Sequence, residues 1–122
     1  ISLSVIADGG ALVALSPSEV YSFFGNALDN AIEAVRELPD PSQRSVSLTV
    51  RRVGSLAIVH IENYFTGEAR LSDGMPRTSK VDTQRHGFGT RSLREIVERH
   101  DGTLTFGQRE STFTVDAMLP VP

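Results

Sequence analysis

The stretch Ser16-Pro17-Ser18-Glu19 leads directly into a run whose apolar positions recur every three to four residues. No other feature narrows the fold of this 122-residue chain as much. Ser16 can cap a helix, Pro17 suits its first turn, and Glu19 stands where a capping box needs its acid. Apolar residues then follow at 20, 23, 24, 27, 28, 31, 32 and 35, the 3.6-residue period of a one-sided helix. Pro39 and Pro41 forbid its continuation through "LPDPSQ". A helix apolar on one side must be covered by a second layer, so the remaining segments have to supply one.

They read mostly as strands. "SLSVIA" (2–7) and "ALVAL" (11–15) flank the turn signal "DGG", as a hairpin or as two successive strands. "SVSLTVRRV" (45–53) alternates polar and apolar residues, whereas "LAIVHIEN" (56–63) is more continuously apolar. With Gly54-Ser55 between them they predict an antiparallel hairpin whose second strand is the more buried. "TLTFGQ" and "STFTVDAML" close the chain as another hairpin around Arg109-Glu110. Periodicity vanishes in the polar stretch from Tyr64 to Arg85, a length that in a compact domain marks a functional loop or lid. After it, "HGFGTRSLREIVERHDG" (86–102) puts two glycines ahead of a second helix with Leu93, Ile96, Val97 and His100 on one face. Gly102 is its expected C′ residue. The order β, β, α, β, β, loop, α, β, β predicts one α/β domain over residues 1–122. It is a two-layer sandwich with helices on one face of a mixed, mostly antiparallel sheet.

Composition removes several classes of function. The chain has no cysteine, so disulfides and cysteine-based zinc sites are excluded. His60, His86 and His100 lie far apart without ligand spacing. A formal charge of −3 with interspersed signs gives no basic footprint for nucleic acid. No apolar stretch reaches membrane-spanning length, so no membrane contact is expected of the domain itself. The start at Ile1, almost immediately in strand-like sequence, reads as a domain cut from a longer protein.

Two segments carry residues suited to chemistry. Asn26 and Asn30 in "FFGNALDNAIEAV" are four apart and share a helical stripe bordering the apolar face, which Glu33 and Glu37 continue. Asparagine is a mediocre helix former, and carboxamide oxygens can bind a hard cation such as Mg²⁺. The same pair also reads as half-exposed residues bonded to loop backbone. Gly87 and Gly89, set before a helix, would leave its N-terminal amides open to an anion; two glycines there also suit an ordinary turn.

Taken in order, "NALDNAIEA", a strand ending in "IEN", a polar lid and "SKVDTQRHGFGTRSLREIVERHDG" resemble the GHKL ATP-binding fold. This Bergerat fold is shared by gyrase, the large heat-shock chaperone, mismatch-repair ATPases and sensor histidine kinases. The pattern is most similar to the catalytic domain of accessory-gene-regulator-type, peptide-sensing histidine kinases, across nearly the whole chain. The resemblance implies ATP and Mg²⁺ as cofactors and a lid over about 64–86. Asn30 would hold Mg²⁺ and Asn26 would be its N-box companion, in the place of the glutamate base of hydrolytic relatives. Gly87 and Gly89, with His86, Phe88 and Thr90, would form the phosphate-facing glycine box. Asn63 would stand for the aspartate that accepts the adenine amino hydrogen, although the usual glycines are missing from "ENYFTGE". Lys80 would reach phosphate; Arg85 and Arg91 are the other cations nearby. Glu33 replaces a base common in other histidine kinases, and Thr90 replaces a leucine and reads as the cap of the second helix. His86 reads as a lid hinge and His100 as half-buried helix surface.

The implied activity is transfer of the ATP γ-phosphoryl group to a histidine on a separate dimerisation helix of the same protein, with a response regulator downstream. The chain would be the cytoplasmic domain of a membrane-anchored kinase and would not autophosphorylate alone. A non-catalytic nucleotide-binding module and an anti-sigma-factor-type protein-serine kinase are the competing readings.

Overall fold

The first helix, α1, runs from Pro17 to Arg36 with the cap its sequence specifies. Ser16 Oγ accepts the Glu19 amide at 3.2 Å, and Glu19 Oε1 accepts the Ser16 amide at 2.9 Å. These contacts come from a computed structural model that describes residues 1–65, 71–72, 75–76 and 83–122; residues 9, 71–72, 75–76 and 83–89 are described by backbone alone. Phe23, Ala27, Ala31 and Val35 form the buried stripe of α1, as the 3.6 period requires. The ring of Phe24 meets that of Phe23 edge-on at 5.1 Å.

Five strands form the layer beneath: β1 (Ser2–Ala7), β2 (Ser45–Val53), β3 (Leu56–Tyr64), β6 (Thr103–Arg109) and β7 (Thr112–Pro120). Their spatial order is β1-β2-β3-β7-β6, with β1 parallel to β2 and every other pairing antiparallel. Two short strands, β4 (Leu71–Ser72) and β5 (Met75–Pro76), pair with each other within the expected lid. The second helix, α2, spans Thr83–Arg99. It packs over β6 and β7, while α1 lies over β2 and β3. Leu93 and Val97 of α2 are completely buried, and Ile96 nearly so.

Two local expectations are corrected, and a third holds. Residues 11–15 are not a strand. Asp8 Oδ1 accepts the Gly10 amide at 3.0 Å and starts a 3-10 turn over Gly9–Leu12. That turn sends Ala11 and Leu15 into the core, and β1 pairs with β2 rather than with a hairpin partner. Strand β3 is more buried than β2, as expected, with four buried residues against three, and it alternates. Ala57, Val59, Ile61 and Asn63 face the helices, while Ile58, His60 and Glu62 lie half-exposed on the open face. Its apolar run reflects Ile58 on that open face rather than burial on both sides.

The end of α2 differs as well. The left-handed residue is Asp101, with φ of 58°, and not Gly102. The Asp101 amide donates to Glu98 O at 3.1 Å and the Gly102 amide to Val97 O at 2.9 Å, the two bonds of a Schellman motif. Glycine is needed at 102 for space: a Cβ there would lie 2.4 Å from the Met118 carbonyl oxygen.

Candidate functional site

Sheet topology sets the two helices against each other. Strands β1 and β2 run the same way with α1 between them in sequence, and β3 and β6 run the opposite way with α2 between them. The helices are therefore antiparallel, and they pack side by side. Their contact is pinned where α1 begins and α2 ends. Glu19 Oε2 accepts from Arg99 Nη1 at 3.0 Å and lies 2.8 Å from His100 Nε2. The Ser16 amide and then the His100 imidazole hold the Glu19 carboxyl at about 2, against an ordinary 4.5. Asn30 lies eleven residues after Glu19 and Gly89 eleven residues before His100. At the helical rise this is about 16 Å on each helix, so the two positions sit level on the pair.

The three asparagines differ in how their amides are used. Asn26 is half-buried and donates Nδ2 to Ser22 Oγ at 3.4 Å, one turn back on α1. Asn30 is half-buried too, and its carboxamide makes no hydrogen bond to a described residue. Asn63 ends the helix-facing side of β3 and is only 5% exposed. Its Nδ2 donates to the Tyr64 carbonyl oxygen at 2.8 Å, which fixes the amide orientation and keeps Oδ1 as an acceptor. Next to Asn63 in register is Phe113, whose ring stacks on Phe106 at 6.2 Å and meets Phe65 at 6.0 Å. Tyr64, the residue after Asn63, is exposed.

The glycine segment is placed differently from the expectation. Helix α2 begins at Thr83, so Gly87 and Gly89 lie inside its first two turns and not before it. Glycine weakens a helix by about 1 kcal/mol relative to alanine but, unlike proline, does not forbid one, and residues 83–99 contain no proline. Thr90 is consequently not an N-cap; it is a buried residue in the middle of α2. His86 is part of α2 and not of a hinge outside it. Lys80 lies outside the described residues, as do the side chains of Arg85, His86 and Phe88. His100 is half-buried as expected, with the Glu19 contact as its role.

Two groupings were missed by sequence reasoning. One is the Glu19–Arg99–His100 contact, whose signal was an acid already assigned to capping. The other is on the open sheet face, where His60 Nδ1 lies 2.5 Å from Asp116 Oδ1 and Nε2 lies 3.2 Å from Glu62 Oε2. Partial burial lowers the His60 pKa, but the bonds to Asp116 and Glu62 outweigh it and leave it above the ordinary 6.5. Among the described residues no group of acids and histidines could hold a metal ion. Amide oxygens, with phosphate and water, are the hard donors the α1 stripe offers instead.

Comparison with known proteins gives a consistent picture. A family model described as the GHKL domain matches residues 15–120. No curated protein sequence matches the chain. Among solved structures, the catalytic domain of histidine kinase ThkA superposes with a TM-score of 0.72 at 21% identity, covering 98% of this chain and 78% of that one. The histidine kinase domain of the Erythrobacter litoralis blue-light activated kinase EL346 gives 0.70 at 16%, over 98% of this chain and 51% of its own. The histidine kinase domain of the E. coli osmosensor EnvZ gives 0.64 at 17%, over 99% and 76%. At these identities the likeness is one of fold, and it extends over the five-stranded mixed sheet and both helices.

Proposed function

The chain belongs to the GHKL domain family, and on that premise we propose that it is the ATP-binding catalytic domain of a bacterial, peptide-sensing sensor histidine kinase. The observation that carries this reading is the Asn30 carboxamide, half-buried, without a described hydrogen-bond partner and level with Gly89 on the facing helix.

The residues present fit Mg²⁺ bound chiefly through nucleotide oxygens. Asn30 Oδ1 is a hard, neutral donor, and Asn26 beside it retains its own oxygen because Nδ2 points to Ser22. When bound, the ion would neutralise charge on the β- and γ-phosphates. The chain's own residues orient and exclude. Asn63 Oδ1, oriented because Nδ2 donates to the Tyr64 carbonyl, accepts the adenine amino hydrogen and disfavours a base with a carbonyl at that place. No carboxylate stands at position 26, so an attacking water finds no base there and the γ-phosphoryl group is kept for another acceptor.

For the amides of 87–90 to meet phosphate, the first turns of α2 must open. The two glycines lower the cost of that opening by about 1 kcal/mol each. The Glu19–His100 contact holds the far end of α2 in place meanwhile. Lys80 would add a cation to the phosphates.

The acceptor is a histidine on a separate dimerisation helix of the same protein, with a response regulator as the next recipient. The domain would act on the cytoplasmic side of a membrane-anchored kinase. The test is transfer in trans: the domain is mixed with the phosphoacceptor hairpin and γ-labelled ATP. Acid-labile, base-stable label on the hairpin is the expected result. Acid-stable label on serine would support the anti-sigma-factor type instead, and free phosphate released without the hairpin would mark an ATPase.

A further inference from the structure

The open face of the sheet, opposite both helices, is polar at one end and apolar at the other. Ser47, Glu62 and Thr114 lie side by side on β2, β3 and β7. Four residues along β2, Arg51, Ile58 and Met118 occupy the same three strands, followed by Val53, Leu56 and Pro120. Val53, where β2 runs past the end of β1, is 51% exposed, and Met118, on a strand inside the sheet, is 42% exposed. A contiguous apolar patch rimmed by polar groups is the usual mark of a contact surface.

A cavity of about 310 Å³ adjoins this patch, lined by Thr49, Arg51, Ile58, His60 and Asp116. Its anionic wall is already used, because Asp116 is paired with His60. Its cation is not: the exposed Arg51 makes no hydrogen bond or ion pair with a described residue. Residues 45–61 contain three arginines or histidines and no acid.

From these observations we infer that this face docks an amphipathic helix of a partner protein whose apolar stripe is bordered by an acid, the acid entering the cavity at Arg51. Dimensions favour a helix. The patch spans three strands, about 10 Å, which is one helix diameter. From Thr49 to Val53 it is about 13 Å long, some two and a half helical turns. Charge selects the acid, since a basic helix would meet Arg51. An added strand would not cover the patch, because Ile58 and Met118 lie on β3 and β7, which are paired on both sides there.

The test uses amide chemical shifts of the chain and two synthetic helical peptides with the same leucine stripe, one flanked by glutamates and the other by lysines. Saturable shifts at residues 51–58 and 116–120 with the acidic peptide, and none with the basic one, are expected. Arg51→Glu should weaken acidic-peptide binding about tenfold or more and Arg51→Lys by less, with unchanged melting temperatures. Equal binding of both peptides, or shifts elsewhere, would overturn the inference. So would a dimer in light scattering that Met118→Glu dissolves, because the occupant would then be a second copy of the chain.

Discussion

Glu19, in the first turn of α1, receives both Arg99 and His100 from the end of α2, at 3.0 and 2.8 Å. One carboxylate thus completes a capping box and ties together the two helices that carry the proposed nucleotide residues. Its carboxyl titrates at about 2 in the folded chain against an ordinary 4.5. A depressed carboxylate pKa contributes stability that is complete above the unfolded value and is lost as pH falls through the folded one. Thermal melts should therefore show a fall in stability from pH 4.5 toward 2, and Glu19→Gln should lower the melting temperature at pH 7 while flattening that acid limb.

His60 has the opposite sign. Its pKa is raised by Asp116 and Glu62 against the effect of partial burial, so its contribution is complete below about 6.5 and disappears as pH climbs through the folded value. The groups are substantially exposed, which limits the effect to about 0.5 kcal/mol. Asp116→Asn should accordingly reduce stability to urea at pH 5.5 and leave it nearly unchanged at pH 9.

Two glycines make a contrasting pair. At Gly102 an added Cβ would stand 2.4 Å from Met118 O and 2.8 Å from Leu119 Cδ2, so Gly102→Ala should destabilise by about 1–3 kcal/mol or more. Around Gly25, exposed within α1, nothing lies within 4 Å of such a Cβ. Gly25→Ala should stabilise by about 0.5–1 kcal/mol through helix propensity. Denaturant titration of both variants checks the pair, and equal effects would contradict the geometry.

These cases show where the sequence was legible. Helix α1 was, because Ser16, Pro17, Glu19 and the apolar period all favour one state and Pro39 ends it. The two antiparallel hairpins were too, since turn residues separate strand-like runs at 54–55 and around Arg109-Glu110, the second turn falling one residue later, at 110–111. The start of α2 was not, because glycine at 87 and 89 weakens a helix without stopping it. The left-handed position at Asp101 was hidden behind the more obvious Gly102, whose selection by the Met118 carbonyl is a long-range contact. In the candidate site the asparagines could be picked out by residue type. Which of their amides is committed, to Ser22, to Tyr64 or to no described residue, depends on atoms that only the folded chain brings together.

Asn63 provides a sharp check on that distinction. Its Nδ2 donates to the Tyr64 carbonyl, so Asn63→Asp would set a buried carboxylate against that oxygen. A loss of about 1–3 kcal/mol is expected at neutral pH, shrinking as the new acid is protonated. Chemical denaturation at pH 7 and pH 4 measures it.

The proposal that α1 and α2 together hold Mg·ATP is tested most directly by calorimetric titration of the chain with ATP, with and without Mg²⁺, repeated on Asn30→Ala. Mg²⁺-dependent binding that weakens at least about tenfold in the variant, at an unchanged melting temperature, is the predicted result. Absence of binding at millimolar ATP, or binding that Asn30→Ala leaves intact, would contradict it.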